Sequence, residues 1–272
     1  MGDDDTKQGI SDDVSTETRL RPGREGPLAE VPPGRWVMWE GMRLFAVHLR
    51  DGWRALPVAA RRAWLRTTGV GLLACCGLAL LACAWVRGMD PAALAWEAEA
   101  LRAIERGTLS FSSAIFLEPL GNALLLLPLL FGVAAAAAWG GRPLRALTVV
   151  SSFFLADGVV GLGWLAWNRP RPDLIAGGLA APGLHSFPSG HVAQAAASYG
   201  IVVYLWMTNT RSGMERGFAA LCWTGAVAAV AMARMRLGAH WPTDVVAGAA
   251  LGTAWLLVCI AALRRAEAAG GR

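Results

Sequence analysis

The chain has 272 residues, 55% of them hydrophobic and only 17% charged, and a mean hydropathy of +0.41. A soluble domain of that length needs more charge to cover its surface, so the composition excludes an ordinary globular fold and makes the bilayer the solvent. The formal net charge of +5 calls for no nucleic acid, because the basic residues fall mostly in alternate loops between apolar runs.

Residues 1–34 open with Asp3-Asp4-Asp5 and continue with scattered Ser, Thr, Gly and Pro. Too few large apolar groups are present to bury a core, and a disordered cytoplasmic tail is expected. Residues 35–66 form a basic amphipathic interfacial segment. Met42, Phe45, Leu49, Trp53 and Leu56 recur at spacings of three or four while Arg43, Arg50 and Arg54 face away. Such a helix lies on the anionic cytoplasmic leaflet or packs on the protein's own cytoplasmic loops.

Residues 67–265 hold six apolar runs: Gly69 to Val86, Pro119 to Trp139, Ala146 to Trp167, Ser189 to Met207, Gly217 to Met232 and Pro242 to Leu263. Each is read as crossing a hydrocarbon layer of about 30 Å, the fifth being the shortest. Residues 266–272 form a second cytoplasmic tail. The expected fold is all-α, a polytopic membrane bundle of six transmembrane helices plus interfacial amphipathic helices. The first span serves as an uncleaved signal anchor. Arginines crowd the segment before span one, the loops after spans two and four, and the C-terminus. Both termini are therefore cytoplasmic and the loops after spans one, three and five extracytoplasmic, in a bacterial inner (plasma) membrane.

After the first span, Leu94, Ala98, Leu101 and Ile104 share a face opposite Glu97, Glu99, Arg102 and Glu105, as in an extracytoplasmic interfacial helix. Trp85, Trp139, Trp167, Trp206 and Trp241 fall near span ends, where an aromatic belt sits. Gly248 and Gly252 offer a small-residue face for close helix packing. The five cysteines lie inside apolar runs without metal-ligand spacing and act as small core hydrophobes. Asp157 lies about 16 Å below the end of span three by helical rise. It is expected to face the bundle interior, partnered by Asn122, Ser151 or Ser152.

The chemistry converges on one side. Spans three and five end there and spans four and six begin there, so the loops carrying Arg171, Ser189, Gly190, His191, Arg234, His240 and Asp244 meet above one bundle. Pro188 and Pro242 suit the first turn of a helix. Pro188-Ser189-Gly190 then directs free N–H groups and a positive helix end at the loop, an anion site that Gly190 lets a phosphate approach closely. Arg171 and Arg234 supply planar forks matched to phosphate oxygens. His240 precedes Asp244 by one helical turn, so the carboxylate can hold Nδ1–H and leave Nε2 as a nucleophile. His191 is then the natural general acid.

The pattern resembles the type 2 phosphatidic acid phosphatase superfamily, membrane lipid phosphate phosphatases that share a phosphate site with vanadium haloperoxidases. The likeness covers roughly residues 69 to 263. The family's motifs run Lys, six residues, Arg-Pro; then Pro-Ser-Gly-His; then Ser-Arg, five residues, His, three residues, Asp. The second is intact from Pro188 to His191, and Arg234, His240 and Asp244 hold the intervals of the third. The resemblance implies that His240 attacks phosphorus and is phosphorylated, that Asp244 orients it, and that His191 protonates the departing oxygen. It also implies that Arg171, Ser189, Gly190 and Arg234 bind the phosphoryl oxygens, with no metal and no cofactor. Two positions depart: Ala233 replaces the motif serine, and Trp164 stands where the motif lysine belongs. Arg169 and Arg236 are the candidates to replace that cation.

The expected activity is metal-independent hydrolysis of a lipid phosphomonoester or diphosphate at the extracytoplasmic face. Polyprenyl diphosphate, phosphatidic acid, phosphatidylglycerol phosphate and lipid A phosphate are all open as substrates, and the oligomeric state is open as well. Two alternatives stand beside it: a lipid phosphotransferase with the same phosphohistidine, and a non-catalytic lipid-phosphate-binding protein.

Overall fold

The computed structural model describes residues 35–89, 91–107, 109–175, 178 and 185–270; the tail expected over 1–34 lies outside them. Contacts divide the chain into two units, Met1–Arg43 and Leu44–Arg272. In the first, the described residues open helix α1 (Arg35–Ala55), where Glu40 and Arg43 pair at 3.6 Å across one turn.

The second unit is helical throughout its described elements. After α1 come α2 (Val58–Arg87), α3 (Ala95–Arg106), α4 (Phe111–Leu117), α5 (Ala123–Trp139), α6 (Pro143–Ala166), α7 (Gly190–Met207), α8 (Gly213–Arg236) and α9 (Pro242–Ala269). Short 3-10 turns occur at Pro91–Leu94 and Glu118–Gly121. Local chemistry sets the starts. Asn122 accepts from the Leu124 N–H at 3.1 Å ahead of α5, and Ser212 from the Glu215 N–H at 3.3 Å ahead of α8. Pro143 and Pro242 take first-turn positions where a missing N–H leaves nothing unpaired. Pro188 does not: α7 begins at Gly190 with Ser189 as its N-cap, so the expected first-turn proline lies just outside the helix.

Among the described residues, five segments are long and apolar enough to cross a membrane: α2, Phe111–Trp139, α6, α8 and α9. Helix α7, expected as the fourth span, is not among them. It packs against α6, α8 and α9, and eleven of its 18 residues are buried, Gln194 and Ser198 included. A helix enclosed by other helices needs no apolar coat facing lipid, so it tolerates the polar groups that lower its hydropathy.

From Phe45 onward, the apolar stripe packs on the protein's own helices. Phe45 lies 5.1 Å from the Phe131 ring of α5 and Trp53 lies 5.9 Å from Trp64 of α2. Buried indoles find acceptors: Trp64 Nε1 donates to Thr148 Oγ1 and Trp255 Nε1 to the Ser151 carbonyl, both at 3.0 Å. Helices α7 and α9 approach closely at two glycines. A Cβ on Gly248 would stand 2.4 Å from the Ser189 carbonyl oxygen, and one on Gly252 2.3 Å from that of Ala193.

Asp157 departs from expectation. It is exposed on α6, and its nearest polar partner is Gln194 Nε2 of α7 at 3.4 Å. Ser151 and Ser152 donate instead to carbonyls of their own helix, at 2.9 and 2.7 Å, and Asn122 is occupied as a cap.

Candidate active site

The end of α6, the loop after it, the start of α7, the end of α8 and the start of α9 meet at one end of the bundle. The Ser189 N–H donates to the Asp244 carbonyl at 3.0 Å, tying the N-termini of α7 and α9 together. Gly238 turns the chain between Arg234 and His240 with φ +68°, a left-handed conformation that glycine adopts without steric cost.

His240 is 2% exposed. Its Nδ1 lies 2.8 Å from the Ser186 carbonyl oxygen and 3.7 Å from Asp244 Oδ2. A carbonyl can only accept, so Nδ1 carries the proton and Nε2 presents a lone pair. The carboxylate that spacing assigned to Nδ1 therefore stands one step behind. Asp244 is fully buried and accepts from the Trp241 N–H at 2.8 Å, from Arg169 Nη1 at 2.5 Å and from the Ser186 hydroxyl. Ser186 thus contacts the imidazole with its carbonyl and the carboxylate with its side chain. Burial lowers the His240 pKa below the ordinary imidazole value; Asp244 opposes that shift, and Arg234 and Arg171 add to it.

Arg169 is not a surface group and does not replace the missing lysine. It is 7% exposed; Nη2 meets Glu97 Oε2 at 2.5 Å and Nη1 meets Thr243 Oγ1 at 2.6 Å as well as Asp244. Trp167 and Trp241 flank its guanidinium, each with its ring centre 5.4 Å away, so these two belt candidates frame a buried cation. Glu97, expected on the polar face of α3, is 1% exposed. It accepts from the Thr243 N–H at 3.0 Å and the Thr243 hydroxyl at 2.7 Å. Helical periodicity missed Glu97 because the network that buries it comes from α9 and the Arg169 loop. Arg236 also turns away from the site: its Nε donates to the Leu109 carbonyl at 3.0 Å and its guanidinium covers Phe111 at 5.5 Å.

Around His240 lies a set of buried polar atoms without hydrogen-bond partners: Arg171 Nε and Nη1, Ser189 Oγ, His191 Nε2 and Arg234 Nε. His191 is within electrostatic range of Arg171, Arg234 and His240. Burial also lowers the Arg171 pKa, against the pull of Asp244. Unpaired donors at this density carry a large desolvation cost unless an anion completes them. Gly190 opens α7 beside them, with Trp164 packed so close that a Cβ there would stand 3.1 Å from the indole. Trp164 Nε1 donates to the Pro188 carbonyl at 3.0 Å, so the residue at the lysine position braces the Pro-Ser-Gly turn. Ala233 is buried beside Ala114 and Leu237, an apolar setting that suits it better than a hydroxyl.

Sequence reasoning also missed Glu118, on the turn after α4. Its Oε1 accepts from Arg234 Nη1 at 3.0 Å and lies 3.0 Å from His191 Nε2. Among the described residues, no group of three or more His, Cys, Asp or Glu side chains is arranged to hold a metal ion. The arrangement can present a neutral imidazole lone pair to an anion held by guanidinium, hydroxyl and helix N-terminal donors, with a second imidazole beside it.

Residues 145–267 match the family model described as the PAP2 superfamily, a segment that holds every residue of the pocket named above except Glu97 and Glu118. No curated protein matches the chain. Among solved structures, it is similar to the first transmembrane PAP2-type phosphatidylglycerolphosphate phosphatase from Bacillus subtilis, with 21% identity, a TM-score of 0.43, and coverage of 82% of this chain and 95% of that one.

Proposed function

We propose that the chain, whose residues 145–267 match the PAP2 superfamily model, is an integral-membrane lipid phosphatase acting through a phosphohistidine on His240. The observation that carries this reading is the group of buried, unpartnered donors on Arg171, Ser189, His191 and Arg234 around an imidazole whose tautomer leaves Nε2 free. A phosphoryl group satisfies those donors, and few other ligands match two guanidinium forks and a helix N-terminus at once.

In the first step, the Nε2 lone pair of His240 forms a bond to phosphorus as the P–O bond to the lipid alcohol or inner phosphate breaks, and His191 passes its proton to the departing oxygen. In the second, water attacks phosphorus and gives a proton to His191, the P–N bond breaks with its electron pair returning to His240, and inorganic phosphate leaves. Arg171, Arg234, Ser189 and the Gly190 backbone stabilise charge on the phosphoryl oxygens during both displacements. Asp244 supports His240 through Ser186 and its own field. These residues supply the catalysis without a metal or cofactor.

A lipid substrate is favoured by a groove of about 700 Å³ lined by Cys76, Gly158, Gly161, Leu162, Trp164, Leu165 and His185. Trp164 joins it to the turn at Pro188, so an apolar tail lying there would hold its headgroup at the donors. Helix α7 is the fourth of six spans in this reading, and the arginine distribution favours a site on the extracytoplasmic side of a bacterial inner membrane.

The test is release of phosphate by the purified protein from phosphatidic acid, phosphatidylglycerol phosphate, a polyprenyl diphosphate and a lipid A phosphate. Wild type should turn over at least one of them, and His240→Ala should lose about a thousandfold or more in kcat. Equal turnover by both proteins would refute the mechanism.

A further inference from the structure

We propose that Glu118 is a displaceable counter-ion of the phosphate pocket: it holds Arg234 beside His191 while the pocket is empty, moves off when a phosphoryl group arrives, and returns to help expel product phosphate. This rests on the phosphatase reading above and adds a residue that lies outside the matched family segment.

The geometry is that of a competitor. One oxygen, Oε1, lies 3.0 Å from both Arg234 Nη1 and His191 Nε2, two donors that the mechanism assigns to the substrate. The bond to Arg234 is aligned. The contact with His191 is not, since its Nε2 still lacks a hydrogen-bond partner. Glu118 therefore occupies one corner of the donor set and leaves Arg171, Ser189 and Arg234 Nε unmatched, as one oxygen of a tetrahedral anion would.

Charge makes the two occupants exclusive. Trp164 stands at the position of the motif lysine, and Arg169 and Arg236 are engaged elsewhere. Among the described residues, the fixed cations acting on both His191 and His240 are Arg171 and Arg234. A phosphate dianion entering beside a retained carboxylate would meet strong like-charge repulsion in a site with little water to screen it. Mobility is available on the Glu118 side: its side chain is 25% exposed whereas that of Arg234 is 8% exposed. Its turn is fixed below by Gly121, where an added Cβ would stand 2.8 Å from the His191 carbonyl oxygen. The side chain can swing while its backbone stays in register with His191.

Product inhibition by inorganic phosphate tests this with the full-length protein. Glu118→Gln and Glu118→Ala, each compared with wild type for thermal stability, should lower the Ki for phosphate about tenfold, and kcat should fall where release limits turnover. A Ki unchanged or raised in a folded variant would overturn the proposal, because a purely structural carboxylate would leave Arg234 less well placed for phosphate. A wild-type structure with bound phosphate gives a second result that needs no variant. Glu118 Oε1 more than 4 Å from Arg234 Nη1 supports displacement, and a retained contact overturns it. Wild type that hydrolyses lipid phosphate while the Glu118 variants show no tighter inhibition removes only this inference. Wild type that neither hydrolyses lipid phosphate nor binds phosphate removes the phosphatase reading with it.

Discussion

Nδ1 of His240 lies 2.8 Å from the carbonyl oxygen of Ser186, and this contact, more than the 3.7 Å approach of Asp244, sets the tautomer of the ring. Ser186→Ala keeps that carbonyl and loses only the hydroxyl bond to Asp244, so kcat should fall by about tenfold or less. Asp244→Asn removes the charge that receives Arg169 and faces the imidazole, and kcat should fall about a hundredfold or more. Steady-state kinetics on one lipid phosphate would compare them; a larger loss in Ser186→Ala than in Asp244→Asn contradicts this ordering.

The pH dependence has a defined sign. Burial lowers the His240 pKa, so the neutral ring, the proposed nucleophile, persists at pH values below the ordinary imidazole pKa of about 6.5. The acid limb of kcat/KM assigned to His240 should have its midpoint below about 6.5. Asp244 opposes the shift, so Asp244→Asn should move that limb further down. A wild-type midpoint above 6.5, or an upward movement in the variant, goes against this account.

Glu97 and Asp244 are linked through Arg169, which bonds each at 2.5 Å. The Glu97–Arg169 pair is buried on both sides, and removing one partner of such a pair costs about 3–5 kcal/mol. Glu97→Gln should lose a substantial part of that in thermal unfolding and lower kcat with little change in KM, since Glu97 touches none of the groups proposed to bind substrate and meets Asp244 through Arg169. A double-mutant cycle between Glu97→Gln and Asp244→Asn should be non-additive; additive losses would mean that Arg169 does not transmit between them.

Trp164→Lys restores a cation beside Gly190 but removes the indole bond to Pro188, worth about 0.5–1.5 kcal/mol. Phosphate inhibition should tighten while the unfolding temperature falls. Trp164→Phe, which loses the bond and gains no charge, should move only the unfolding temperature. A lysine variant that binds phosphate no more tightly would show that the pocket does not lack this cation.

Helix periods and chain spacing made much of this molecule legible. The apolar runs predicted the long helices, and the intervals among His191, Arg234, His240 and Asp244 predicted that they share one end of the bundle, because loop topology alone brings them there. Spacing along one helix could not reveal that Nδ1 of His240 prefers a carbonyl from a loop 54 positions away. Arg169, Glu97 and Glu118 were hidden for the same reason. Whether a charged residue on an amphipathic stretch meets water or a buried partner depends on what another element brings to it. Asp157 failed in the opposite sense: depth along α6 was readable, but the direction of its side chain depended on how α6 packs against α7.

The central claim is tested most directly by trapping the intermediate. Purified protein mixed with a lipid carrying a ³²P-labelled terminal phosphate, and quenched during turnover, should yield an acid-labile, base-stable label on the peptide containing His240, and His240→Asn should yield none. Label on another residue, or a His240→Asn protein that turns over at the wild-type rate, would contradict the account.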